Sequence, residues 1–216
     1  MAFVKNLEEI RARARQQIES GAVTKDYQLD RNQAIGILNE ALATEIVCTL
    51  RYQFHYFMAT GIHSAAVAEE FKEHAAEEQE HADRLATRIK QLGGKPEMNP
   101  VVIAEVSHTE YIEGTSLADM IREDLIAERI AIETYREMIQ FFGQKDPTSR
   151  IMLEEILAKE EEHADELTDL LFAIEPETGE NARRLYFKDE IPSQSQAGQA
   201  VNQETARAEK KRSAKQ

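Results

Sequence analysis

Two stretches of this chain carry nearly the same six residues, Glu78-Gln79-Glu80-His81-Ala82-Asp83 and Glu160-Glu161-Glu162-His163-Ala164-Asp165. Each is preceded by a lone glutamate at nearly the same distance: Glu45 stands 33 residues before Glu78, and Glu128 stands 32 before Glu160. The sequence therefore states one phrase twice, a helix bearing a glutamate followed by a helix bearing Glu-x-x-His. Residues three apart share one face of an α-helix about a turn apart, so the glutamate and histidine of each phrase can reach the same metal centre. One such helix supplies too few ligands for two cations. Four helices packed as a bundle can aim four carboxylates and two imidazoles at a common interior point. Burying four carboxylates without partners is prohibitively costly, and two divalent or trivalent cations remove that cost. The oxygen-rich donor set with two imidazoles suits iron or manganese better than a thiolate-preferring metal. The candidate ligands are thus Glu45, Glu78, His81, Glu128, Glu160 and His163.

An acidic chain produces Glu-x-x-His by accident, and this one does so at Glu105 and His108, in a stretch that also holds Pro100, Val101 and Val102. Doubling separates the other two from that background. Each lone glutamate also has a tyrosine seven residues later, Tyr52 after Glu45 and Tyr135 after Glu128. Seven residues is close to two helical turns, which puts each tyrosine on its glutamate's face.

Helix boundaries are legible. Asp30 with Gln33 resembles a capping box that opens a helix running to Gly61, and a second helix extends from about Ser64 to Leu92, before Gly93, Gly94 and Pro96. Ser116 with Asp119 opens a third that ends at Gly143, and Asp146-Pro147 opens a fourth that lasts to Pro176. The first pair and the second pair are each joined by a few residues, so each pair must lie antiparallel. Between the pairs lie the more than twenty residues 93–115, enough to run the length of the bundle. This predicts an all-α, antiparallel four-helix bundle with one long crossover over residues 31–175. A short extended piece at 101–106 is the only departure from helix expected.

The ends differ from this core. Phe3, Leu7, Ile10, Ala14 and Ile18 recur at helical spacing, so residues 1–30 are expected to hold an amphipathic helix over 3–19, packed on the bundle or on a neighbouring subunit, and a linker. Residues 176–216 turn to Ser, Gln, Ala, Asn and Lys beyond Phe187 and are expected to be a largely disordered tail, with Arg207, Lys210, Lys211, Arg212 and Lys215 making its tip basic. The bundle itself carries 13 basic against 29 acidic side chains, a body that repels nucleic acid and attracts cations. No run of 18 apolar residues predicts a membrane span. A charged N-terminus and a single cysteine, Cys48, point to the cytoplasm. Cys48 is one turn from Glu45 and is expected to act as a small buried hydrophobe.

With these residues assembled, the chain resembles the bacterioferritin branch of the ferritin-like superfamily. Glu-His-Ala-Asp-Arg at 80–84, followed by Ile89, Leu92, Gly93 and Pro96, is similar to the end of the second bacterioferritin helix; Asp124-Leu125-Ile126-Ala127-Glu128 is similar to the third-helix ligand segment, and Glu160 to Asp165 to the fourth. The resemblance implies that Glu45 and Glu128 are terminal ligands and that Glu78 and Glu160 bridge. His81 then completes the iron held by Glu45, and His163 the iron held by Glu128. Tyr52 matches a tyrosine beside the site that donates an electron or hydrogen-bonds a ligand, whereas Tyr135 is assigned to the core. Gln79 stands where the family's haem-ligating methionine would be, so no haem is expected there. No short fifth helix is evident, and both extensions are long, features that also bring in Dps-like miniferritins with a bacterioferritin-type centre.

The implied activity is a ferroxidase: two iron ions per subunit, manganese being the alternative, oxidised by O2 or H2O2 for iron storage and peroxide detoxification inside a hollow homo-oligomer of 12 or 24 subunits. A DNA-protecting miniferritin that uses the basic tail is one rival, opposed by the acidic body. A di-iron oxygenase or manganese catalase is another, and would need a substrate pocket at the metals. A rubrerythrin needs four cysteines for its second domain, and only Cys48 exists.

Overall fold

The computed structural model describes residues 6–62 and 64–175. Phe3 and the basic tail segment lie outside them. The described residues form α1 (Leu7–Ala14), a 3-10 turn (Ile18–Ser20), α2 (Arg31–Met58), α3 (Ser64–Gln91), α4 (Pro100–Val106), α5 (Leu117–Phe142) and α6 (Pro147–Ile174), with no strand among them. The long helices α2, α3, α5 and α6 pack as an antiparallel bundle, α2 along α3 and α5 along α6. At 28 residues α2 is about 42 Å long. None of the described helices is long and apolar enough to cross a membrane.

Capping chemistry sets the boundaries. Asp30 accepts from the Gln33 backbone N–H at 2.9 Å, and Ser116 accepts from that of Asp119 at 3.1 Å. Gly93, at φ +77°, ends α3, and the Gly94 N–H reaches back to the Ile89 carbonyl at 2.9 Å. Asp146 opens α6 through the Ser149 N–H at 3.0 Å while both of its oxygens receive the Arg88 guanidinium of α3, at 2.9 and 3.0 Å. One carboxylate thus caps a helix and ties the two helix pairs together.

The crossover holds no extended piece. Asn99 caps the first turn through the Val101 N–H and Pro100 occupies the start of α4, so 101–106 is helical, burying Ile103 against Ala43 and Val47 of α2. Asparagine followed by proline favours a helix start, which outweighs the β-branched residues behind it. Beyond α4 the crossover is pinned by a buried polar group. Arg51 donates to Asp124 (2.8 Å) and to the Glu110 carbonyl (2.9 Å), while His55 bridges Asp124 (2.7 Å) and the Glu113 carbonyl (3.1 Å). This sets the height of α5 against α2.

The N-terminal helix is shorter than the expected span of 3–19. Helix α1 is only eight residues long and buries none of them, leaving Leu7 57% exposed. The left-handed backbone of Gln17 (φ 54°) interrupts the pattern before Ile18. Val23, Tyr27 and Leu29 of the following linker pack on the bundle core instead, and Tyr27 donates to Asp146 at 3.0 Å.

Two apolar clusters fill the bundle. One gathers Leu38 and Leu42 of α2, Leu85 and Ile89 of α3, Phe142 of α5 and Leu153 and Ile156 of α6. The other gathers Tyr52, Val67, Phe71, Ile121 and Leu167, from the opposite ends of the same helices. Glu45, Glu78, Glu128 and Glu160 fall between these clusters along every helix, which defines a polar layer inside an apolar bundle.

Candidate metal centre

Each of the four long helices brings one glutamate into that layer, and α3 and α6 add a histidine one turn on. Glu45, Glu78, His81, Glu128, Glu160 and His163 are all at most 3% exposed. Their ligand atoms form two overlapping groups, Glu45/Glu78/His81/Glu160 and Glu78/Glu128/Glu160/His163, each with its donor atoms within 4.8 Å of one another. Glu78 and Glu160 are common to both. His81 Nδ1 lies 2.9 Å from Glu160, 3.4 Å from Glu45 and 3.5 Å from Glu78. His163 Nδ1 lies 3.3 Å from Glu78 and 3.9 Å from both Glu128 and Glu160.

The donor set fits two cations on the chemistry of its atoms. Both oxygens of Glu78, one oxygen each of Glu45, Glu128 and Glu160, and the Nδ1 atoms of His81 and His163 are buried and make no hydrogen bond. Orphaned polar atoms at this density are costly in any interior. Protons stand in for missing positive charge. Burial opposes protonation of His81, but the carboxylates of Glu45 and Glu78 outweigh it and raise its pKa to about 10. Burial likewise opposes protonation of His163, and Glu78 and Glu128 carry it up to about 9. Burial, then the charge of Glu78, raises Glu45, Glu128 and Glu160 above the usual carboxylate range.

The surrounding groups orient this set. Tyr52 of α2 donates its hydroxyl proton to Glu128 of α5, and Tyr135 of α5 donates to Glu45 of α2. Tyr135, assigned to the core from sequence, is indeed buried, yet its hydroxyl holds a carboxylate of the polar layer just as Tyr52 does. The matched seven-residue spacing was the signal for it. Glu77, next to Glu78 on α3, accepts the His163 Nε2 proton at 2.7 Å and is itself paired with Lys159 at 3.1 Å. Because Nε2 carries the proton, Nδ1 of a neutral ring presents its lone pair to the centre. Nothing in the motif spacing marked Glu77 out.

Other residues fall outside. His108 of the isolated Glu-x-x-His pairs with Glu40 at 3.4 Å, and Glu105 is exposed. Cys48 is buried, with its Sγ 3.5 Å from the Thr109 hydroxyl, and burial pushes its thiol well above the ordinary range. Such a thiol is inert toward oxidants and metals. Gln79 is exposed and donates to Asp83 at 3.0 Å.

The ferritin-like domain profile matches residues 35–175, the bundle with its polar layer. This chain belongs to the ferritin-like family. Its relatives include the bacterioferritin of Brucella melitensis, 30% identical over 141 residues that span 63% of this chain and 83% of that protein. A protein of Synechococcus sp. described as nutrient stress-induced and DNA-binding is 32% identical over 130 residues, 59% of this chain and 74% of the relative. Among solved structures, the bacterioferritin-related protein of Bacteroides fragilis, described as a dodecameric thioferritin, aligns with a TM-score of 0.67 and 34% identity over 69% of this chain and 90% of its own. A bacterioferritin and a bacterioferritin-related structure thus stand beside this ferritin-like chain, and a Dps protein of Bacillus brevis shares its fold at 22% identity, covering 65% of this chain and 96% of its own with a TM-score of 0.62, in line with the resemblance read from its motifs.

Proposed function

We propose that this member of an iron-storing family is a ferroxidase subunit. Two Fe(II) ions, the substrate, bind side by side, one at Glu45, Glu78, His81 and Glu160, the other at Glu78, Glu128, Glu160 and His163. Glu45 and Glu128 act as terminal carboxylates, Glu78 and Glu160 as bridges. The observation that carries this reading is the set of orphaned donor atoms on six buried side chains converging between two apolar clusters. A pair of Fe(II) ions supplies two electrons at once, so H2O2 with two protons yields two water molecules and two Fe(III), and no one-electron radical is released. The chain's own groups bind, orient and exclude water: His81 and His163 give up their protons as Fe(II) arrives, Tyr52 and Tyr135 hold the terminal carboxylates, and Glu77 fixes the His163 ring. Fe(III) then moves to mineral inside a hollow homo-oligomer, for which the dodecameric relative makes 12 subunits the favoured number over 24.

Anaerobic Fe(II) titration of the metal-free protein, followed by O2 or H2O2, with particle mass measured in parallel, tests this. Two Fe(II) bound per subunit and oxidised within a large particle is the expected result. No saturable Fe(II) binding, or binding without accelerated oxidation, would overturn it.

A second reading has one observation in its favour, the relatives described as DNA-binding. In it the basic residues at 207–215 contact phosphates, multiplied by subunit number. A gel-shift at low salt decides it: deletion of residues 201–216 must abolish any retardation, and an unchanged shift excludes the tail as the contact.

A further inference from the structure

Beside the dinuclear centre, on the same two helices, stands a second group of donor atoms that the ferroxidase reading does not use. Glu70 and His74 lie one turn apart on α3, and Glu166 lies one turn beyond His163 on α6. Their donor atoms fall within 4.8 Å of one another. His74 Nε2 is 3.0 Å from Glu166 and 3.5 Å from Glu70. Among the described residues, the ion pairs of both carboxylates run to His74 alone, with no lysine or arginine sharing them. The two carboxylates also crowd each other: after burial, the charge of Glu166 is the next largest cause raising the Glu70 carboxyl.

His74 is 1% exposed, an almost fully buried imidazole that turns its Nε2 toward the two part-exposed carboxylates, while Nδ1 on the other edge of the ring is buried without a hydrogen-bond partner. A surface imidazole that merely decorated a charged helix would have no reason to be this deeply enclosed. Its ring stacks on the ring of His163 at a centroid distance of 4.0 Å and meets Tyr52 edge-on at 5.2 Å. One of its ring nitrogens is within 4.8 Å of donor atoms on Glu128 and His163. The carboxylates on its other side reach solvent, with the side chain of Glu166 43% exposed and that of Glu70 29% exposed. His74 therefore stands between a solvent-facing pair of carboxylates and the buried centre.

We infer that Glu70, His74 and Glu166 form a third divalent-cation site, a solvent-side station adjoining the dinuclear centre. One imidazole and two carboxylates suit Fe(II), Mn(II), Co(II) or Zn(II), with water completing the coordination on the exposed side. The cation takes His74 Nε2 and one oxygen from each carboxylate, and the imidazole proton moves from Nε2 to Nδ1. Loading of the dinuclear centre through this station rests on the ferroxidase reading; the binding of a third ion does not.

Zn(II) is the probe, because it undergoes no redox chemistry. The full-length, metal-free protein is dialysed to equilibrium against Zn(II), bound zinc per subunit is measured, and a crystal of the loaded protein is examined for anomalous scattering. Three ions per subunit are expected, with the third peak between Glu70 and Glu166. The double variant Glu70→Gln/Glu166→Gln, which changes only part-exposed side chains and leaves the packed His74 ring in place, should bind two. Parent protein that binds only two ions, or a double variant that still binds three, would overturn the third site while leaving the dinuclear centre intact. Parent protein that binds none would overturn both, so the two failures are told apart.

Discussion

Tyr135 on α5 donates its hydroxyl proton to Glu45 on α2, across the bundle and 90 positions away in the chain. Tyr52 on α2 returns the same contact to Glu128 on α5. Glu45 and Glu128 are thus each held by the tyrosine two turns beyond the other. Tyr135→Phe and Tyr52→Phe should each weaken metal binding by a factor of about ten, the usual scale for losing a partner that orients a ligand. Both variants should be affected alike, as read by Co(II) titration. A parent-like isotherm for Tyr135→Phe would return that residue to a packing role.

A donor shared by the two overlapping groups and one that belongs to a single one of them differ in reach. Glu78→Ala removes a donor from both Glu45/Glu78/His81/Glu160 and Glu78/Glu128/Glu160/His163, and His163→Ala removes one from the second of these. Either change should reduce Fe(II) oxidation to the uncatalysed rate, with the helical signal in circular dichroism unchanged; in Glu78→Ala the loss of a carboxylate also relieves charge crowding. Oxidation at the parent rate in both would defeat the ligand assignment.

Stability of the metal-free protein should fall as pH rises. His81 and His163 are raised to about 10 and about 9, so their folded-state protonation stabilises fully below the ordinary histidine value and is lost as pH rises through 9 and 10. Glu45, Glu128 and Glu160, raised as well, act with the same sign, whereas Glu78, held against the effect of burial below the usual carboxylate range by its hydrogen-bond partners, has the opposite sign, confined to acid pH below the histidine window. The thermal midpoint should therefore drop between pH 6.5 and 10. Zn(II)-loaded protein should show little change over that range, since the cations replace the protons. A midpoint independent of pH in chelator-treated protein would contradict this.

Asp146 concentrates four partners in one carboxylate: the Ser149 N–H and hydroxyl, Arg88 and Tyr27. Asp146→Ala should cost about 3 kcal/mol, combining a lost helix cap with a buried guanidinium left without its anion. Denaturant unfolding would measure it. A loss below about 1 kcal/mol would mean that Arg88 finds another partner.

The bundle was legible because its signals are local. Asp30, Ser116 and Asp146-Pro147 open helices by chemistry within one turn, and Gly93 and Gly143 close them the same way. The doubled Glu-x-x-His with its two lone glutamates was equally legible, because helical periodicity converts sequence spacing into a shared face. Signals read without their neighbours misled. The β-branched run at 101–106 suggested extension until Asn99 and Pro100 turned it into α4, and the apolar rhythm at the N-terminus suggested a longer helix than Leu7–Ala14.

The chain order therefore specified four helices, their antiparallel pairing and the six donors at their midpoints. Packing alone selected the partners of those donors. Which tyrosine meets which glutamate, that Glu77 turns His163 toward the centre, and that His74 stacks upon it all depend on how α2 meets α5 and how α3 meets α6. Those helices adjoin only after residues 93–115 have crossed the bundle, and the height at which they meet is set by Arg51, Asp124 and His55 gripping that crossover. Helical spacing carries no information about rotation and height between separate helices, so these contacts emerge only from the folded arrangement.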